Sequence, residues 1–242
     1  MQNRSHAVMA QRTEEKESRD DFPTPPWATR ALIEHVLLPR APDLSQHKCL
    51  EPACGRGHMD KVLREYFAET SACDVFDYGY AKIADFQTAP YEVASFDWVI
   101  TNPPFNLAED FISRSRKIAK RGVAILARTV FIESVGRFER LFQPDPPAVF
   151  AQFVERVPMV KGRLDKKAST ATGYAWFVWL NEPVTSTELV WIPPCRKALE
   201  RELDYDIPAS REHVAVGPTE PTVRQRGLFD ADADIGCLKA TG

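Results

Sequence analysis

Apolar positions in this chain fall in short runs broken by prolines and glycines, and the spacing within the runs alternates between two kinds. Residues 47–50, 71–77, 82–86, 96–100 and 122–126 are short and β-prone, as strands buried on both faces are. Between them the period lengthens. Leu32, Val36 and Leu37, then Met59, Val62, Leu63 and Phe67 over 59–68, then Phe111 and Ile118 within 107–120, recur as on one face of a helix. A further helix is predicted from Phe131 through Phe138 and Leu141, ended by Pro144, Pro146 and Pro147. Residues 149–154 and 174–180 read as two strands around a long basic loop, and 189–192 as a last edge strand closed by Pro193 and Pro194. This alternation predicts an α/β domain: a mixed sheet with parallel strands at its centre and a late antiparallel hairpin.

Length and composition fit that picture. The 242 residues, 44% of them hydrophobic, suit one α/β domain with a small appendage. No apolar run approaches the ~20 residues of a membrane helix, and the first residues lack a signal peptide's apolar segment. Residues 1–20 are expected to be a disordered leader, 21–204 the folded domain, and 205–242, rich in Pro, Glu and Asp, a mostly disordered tail. Five scattered cysteines (Cys49, Cys54, Cys73, Cys195 and Cys237) have no metal-ligand spacing, which predicts a reducing cytoplasm and no metal. The net charge of −3 hides an asymmetry. Residues 111–168 carry 13 Lys and Arg against 5 Asp and Glu, a local +8, while the rest of the chain is at −11. A focused positive field suits a phosphate backbone. The same run equally fits the solvated face of a helix through Arg114, Lys117 and Arg121.

Candidate chemistry lies at the carboxyl ends of the predicted strands, where open α/β sheets bind ligands. The run at 96–100 leads into Thr101-Asn102-Pro103-Pro104-Phe105. Two prolines there end the strand and stiffen the backbone around an amide and an aromatic ring. Asn-Pro-Pro is also an ordinary loop opener. A second motif lies about fifty residues upstream: Glu51-Pro52-Ala53-Cys54-Gly55-Arg56-Gly57-His58. Gly-x-Gly between strand and helix lets a ligand approach the backbone closely. The carboxylate of Glu51 would repel a pyrophosphate and suits a cationic amino group instead.

The pairing of these two motifs resembles the class I S-adenosylmethionine-dependent amino-methyltransferases. Within them it is similar to the DNA adenine-N6 methyltransferases, in the gamma-like motif order and of orphan or phage type. The resemblance implies a Rossmann-like mixed seven-stranded sheet ending in an antiparallel hairpin, with helices on both faces, and S-adenosylmethionine as cofactor. It assigns the methyl-transfer site to Asn102, Pro103, Pro104 and Phe105. Amine hydrogens would be accepted by the Asn102 amide and the Pro103 carbonyl, and the flipped-out base would stack on Phe105. For the cofactor it implies the aromatic-x-Thr-Pro segment of Phe22, Thr24 and Pro25, which equally fits a helix entry with a packing aromatic. It adds Glu51, Pro52, Ala53, Gly55 and Gly57 of the glycine loop, Asp74 for the ribose (with Asp77 a rival), Val75 on the adenine, the Asp85-Phe86 pair, and Asn102.

One departure matters. About 60 residues past Leu180 are too few and too polar for the usual target-recognition domain, so recognition would fall on the basic loops. The tail holds Gln225-Arg226-Gly227-Leu228-Phe229. It resembles sliding-clamp peptides through Gln225, Leu228 and Phe229, and also fits a tail docking its own domain. DNA is the expected partner through residues 112–168, and the cytoplasm of a bacterium or phage-infected host the expected location. Rival readings are an RNA adenine methyltransferase, a protein-glutamine methyltransferase and a non-catalytic module of the same fold that binds nucleic acid.

Overall fold

The computed structural model describes residues 20–182 and 184–205. The expected leader (apart from Asp20), most of the expected tail and the clamp-like peptide with Gln225, Leu228 and Phe229 lie outside them. Eight strands form one sheet in the order β3-β2-β1-β4-β5-β7-β6-β8. They are β1 (Lys48–Glu51), β2 (Glu69–Asp74), β3 (Lys82–Ile83), β4 (Phe96–Thr101), β5 (Ala119–Arg128), β6 (Val149–Phe153), β7 (Tyr174–Leu180) and β8 (Glu188–Ile192). β1 to β5 pair in parallel, while β7 runs antiparallel to both β5 and β6.

The central strands are apolar throughout because both their faces are covered. Ala124 and Leu126 of β5, with Trp176 and Val178 of β7, face helices α1 (Pro26–Leu32) and α2 (His58–Leu63). Val123, Ile125 and Ala127, with Phe177 and Trp179, face helix α3 (Ala108–Ile118) through Phe111 and Ile112. At Gly122 a Cβ would lie 2.5 Å from the Trp98 ring and 2.8 Å from the Trp179 carbonyl oxygen, so only glycine lets β5 sit between its neighbours.

Three expectations need correction. The sheet has eight strands rather than seven, because β8 pairs in parallel with β6 and covers what would have been an open edge. The third strand is only Lys82–Ile83. The Asp85 carboxylate accepts from the Gln87 backbone N–H at 2.8 Å and the Thr88 hydroxyl at 3.3 Å, turning the chain away from the sheet. The helix expected from Phe131 is a chain of short turns (Thr129–Ile132, Val135–Arg137 and Phe138–Phe142), with the Ser134 hydroxyl capping Arg137.

No helix among the described residues is long and apolar enough to cross a membrane.

Candidate active site

Parallel pairing brings the carboxyl ends of β1 to β4 to one edge. There the chain leaves β1 toward the face of α2 and leaves β4 toward the face of α3, so the two exits splay apart. This is the switch point at which such sheets bind ligands. A cavity of about 320 Å³ fills it. Its lining takes in Phe22, Thr24, Glu51, Pro52, Ala53, Gly55, Asp74, Val75, Asp85, Phe86, Asn102 and Pro104. All of these were expected at one site from sequence alone, and four strand ends with the segment before α1 bring them together.

Two expected contributors sit elsewhere. Pro25 is the residue before α1 and does not line the cavity. Gly57 does not line it either, but begins α2 with φ +78°, and a Cβ there would lie 2.2 Å from the Tyr80 ring. Its glycine is required by the fold of the loop rather than by a ligand. Gly55, at φ +51°, has open space around it. Asp74 is the cavity's β2 carboxylate, while its rival Asp77 lies outside the lining. Asp74 accepts from the Gly55 backbone N–H at 2.8 Å and from that of Phe76 at 2.9 Å, tying the glycine loop to β2.

The electrostatics favour a cation at one end. Glu51 is 2% exposed, and its Oε2 has no hydrogen-bond partner among the described residues. Burial, then the nearby Asp60 and Asp74 carboxylates, push its carboxyl well above the ordinary range, against a backbone hydrogen bond from Asp60. Asp74 is also raised, chiefly by burial. His58, the first residue of α2, is lowered to about 4 by burial and by Lys61 and Arg56, and is neutral at pH 7. The opposite wall is apolar, with the Phe86 and Phe111 ring centroids 4.9 Å apart. Buried, unpaired acid at one end and aromatic surface at the other fit S-adenosylmethionine, whose amino group and sulfonium are positive and whose adenine is flat. Glu51, Asp74 and Asp85 would hold its polar groups, and Val75, Phe86 and Phe111 its base.

Extended backbone at the two prolines (Pro104 φ −51°, ψ 133°) sends alternate residues to opposite sides. Asn102 and Pro104 line the first cavity. Pro103 and Phe105 line a second, of about 160 Å³, together with Leu126, Arg128, Phe131 and Arg137. The motif is thus a partition between two cavities. The segment entering α1 straps it in place. Asn102 Nδ2 donates to the Phe22 carbonyl oxygen at 2.9 Å, the Phe105 backbone N–H donates to Asp20 Oδ2 at 2.7 Å, and the Phe22 and Phe105 rings are 5.7 Å apart. Asp21 accepts from Arg56 at 2.8 Å, and its backbone oxygen accepts from Gly162 in the basic loop. With Nδ2 committed to Phe22, Asn102 Oδ1 is buried and takes no hydrogen bond among the described residues.

Sequence reasoning missed this strap, placing Asp20 in the leader and giving Asp21 no role. It also gave no role to Arg56, Phe76, Tyr78 or Phe111, which line the first cavity, and counted Arg128 and Arg137, which line the second, only within the basic stretch. Asp20→Ala is expected to leave the Phe105 N–H unpaired and to slow turnover roughly tenfold, the worth of about one hydrogen bond. Asp20→Asn, which keeps an acceptor, should retain most of the rate. Asp20 also lines the first cavity, so cofactor titration alongside the rates separates a loss of binding from a loss of turnover.

The basic stretch at 112–168 is split by the topology. Helix α3 starts at the carboxyl end of β4 and returns to the amino end of β5, so Arg116, Lys117, Lys120 and Arg121 lie at the edge opposite the site. Arg116 pairs there with Asp145 and Arg121 with Asp97. Arg128, Arg156, Lys161, Arg163, Lys166 and Lys167 lie on the site's own side, Arg163 paired with Asp165 and Lys166 with Glu202.

No protein-family model matches the chain. A curated relative, the ribosomal RNA small subunit methyltransferase C of Idiomarina loihiensis, is 29% identical over 120 residues, which are 40% of this chain and 34% of that one. The match thus spans about a third of the relative's length. Among solved structures, a Vibrio vulnificus protein provisionally assigned as the modification subunit of a type I restriction enzyme superposes with a TM-score of 0.50 at 13% identity, over 77% of this chain and 51% of that one. The magnesium protoporphyrin IX methyltransferase of Synechocystis, solved with bound S-adenosylmethionine, superposes at 0.44 and 12% identity over 65% and 79%. The fold is that of the class I methyltransferases.

Proposed function

We propose that the chain is an S-adenosylmethionine-dependent methyltransferase acting on the exocyclic amine of adenine in nucleic acid. The observation that carries this reading is Asn102 Oδ1, a buried acceptor with no partner among the described residues, in the partition between a cofactor-sized cavity and a second one. A delocalised aromatic amine is a poor nucleophile until its nitrogen moves toward tetrahedral geometry. An acceptor on its hydrogens favours that state, and Asn102 holds one aimed in advance, because Phe22 fixes its amide. The prolines keep the neighbouring carbonyl of Pro103 equally stiff. When bound, the cofactor supplies a methyl group on positively charged sulfur. Asn102 Oδ1 and the Pro103 carbonyl would hold the amine's hydrogens while its nitrogen accepted that methyl, with the pair of the broken bond left on sulfur and one proton passing to water. The base must leave a duplex stack to reach the partition.

DNA is the substrate favoured by the Asn-Pro-Pro-Phe motif and the motif order. RNA is favoured by the ribosomal RNA methyltransferase among the relatives. We favour a nucleic-acid substrate of either kind over a protein because the basic loop carrying Arg156, Lys161 and Lys167 lies on the site's side. Labelled S-adenosylmethionine offered with duplex DNA, single-stranded DNA, ribosomal RNA and total protein tests it, with nucleoside analysis of the product. N6-methyladenine from DNA or RNA is the expected result. Label in protein alone overturns it.

A further inference from the structure

The second cavity holds two arginines that are held very differently. Arg137 lies 4.2 Å over the Phe131 ring, donates to the Phe131 carbonyl oxygen at 2.6 Å and pairs with Glu109 at 3.2 Å. Stacking, backbone and carboxylate together make it part of the wall. Arg128, the last residue of β5, is exposed at the mouth. Its guanidinium lies 4.2 Å from the centroid of the Phe105 ring, beside Tyr174, its cross-strand partner on β7. No ion pair to Arg128 is present among the described residues.

A guanidinium is flat, weakly hydrated and about as thick as an aromatic base, so it covers a ring face as a base would. With the guanidinium carbon 4.2 Å from the ring centroid, a base has no room to stack on that face until Arg128 moves. We infer that Arg128 is the positioning residue for the incoming nucleotide: it rests on the Phe105 face that the extruded base takes over, and then grips the phosphate beside that base. This rests on the nucleic-acid reading above, and adds to it a named group that exchanges places with the substrate. The exchange is inexpensive in free energy. An exposed cation–π contact contributes little, and the neutral Tyr174 beside it carries no charge to hold the guanidinium. A charge-assisted contact to phosphate is the stronger of the two. Arg128 therefore keeps the apolar mouth covered at rest and favours the state in which a nucleotide has displaced it.

The test compares wild type, Arg128→Ala and Arg128→Lys for methyl-transfer kinetics. Binding of a fluorescent adenine-containing oligonucleotide is measured as a function of salt, with cofactor affinity and melting temperature as controls. For Arg128→Ala the expected result is a KM for nucleic acid raised roughly tenfold, with cofactor affinity unchanged. Its log–log salt slope should be smaller by about one. Arg128→Lys should restore the salt slope but not the KM, since an ammonium carries the charge without the flat face. A wall residue with no such role would shift the melting temperature and leave the slope alone, and that result overturns the inference. If wild type binds oligonucleotide but transfers no methyl to it, the methylation reading fails while the salt slope still decides Arg128. Absence of oligonucleotide binding by wild type overturns both.

Discussion

Replacing Asn102 with alanine is expected to slow methyl transfer by on the order of 10²–10³-fold, the usual loss when one preorganised polar group is removed from a reacting centre. Cofactor affinity should change little, because Asn102 sits in the partition while the cavity's carboxylates come from other segments, Asp20 and Asp21 before α1 and Glu51, Asp74 and Asp85 at or after β1, β2 and β3. Asn102→Asp separates two parts of the effect. It keeps an acceptor but loses the Nδ2 hydrogens that donate to Phe22, and it sets a carboxylate oxygen against that carbonyl. Its rate should fall between alanine and wild type if aiming matters as well as accepting. Single-turnover transfer from labelled cofactor, with calorimetry for the cofactor itself, measures both. An alanine variant with full rate would sink the proposed role of Oδ1, and a lost cofactor affinity would reassign Asn102 to binding.

Most of the first cavity's lining was legible from sequence because it stands at strands' carboxyl ends, and strand ends are marked by local signals. Glu51 precedes a proline and a glycine loop, Asp74 closes an apolar run, and Asn102 precedes two prolines. Parallel pairing then gathers those ends at one edge without further information. What was not legible depends on contacts between distant segments. Asp20 and Phe22 reach Phe105 and Asn102 across 85 and 80 positions through single hydrogen bonds, and no periodicity announces such a pairing. The division of the basic stretch was hidden for a related reason. Charge counted along the chain ignores that α3 carries Arg116 and Lys117 to the far edge of the sheet, while β5 brings Arg128 back to the site. The eighth strand was visible as an apolar run, yet its parallel pairing with β6 follows from the whole sheet.

Glu51 makes the cofactor cavity expensive for the folded chain, and this leads to a pair of opposed effects from one substitution. Its carboxyl is held well above the ordinary range of about 4.3 by burial first and by Asp60 and Asp74 next. Between the unfolded value and the raised folded value, the folded state holds a proton that the unfolded state has released. Stability therefore declines as pH rises through that window, and stays reduced above it. Glu51→Gln removes the titration, so the cofactor-free variant should melt higher than wild type at pH 7, with the advantage gone at pH 4. Binding runs the other way. A cation at the end of the cavity stabilises the carboxylate, so cofactor affinity in the wild type should tighten as pH rises from the ordinary carboxyl value toward the raised folded one, and level off once Glu51 is ionised. Glu51→Gln should flatten that profile and weaken affinity at pH 7 by roughly 100-fold, about 3 kcal/mol, the scale of losing one partner of a buried pair. Thermal melts without cofactor and calorimetric titrations with it, each from pH 4 to 8, measure the two effects. A variant that melts lower and binds as tightly as wild type would show Glu51 to be a packing residue, and the cationic end of the ligand would then lie elsewhere in the cavity.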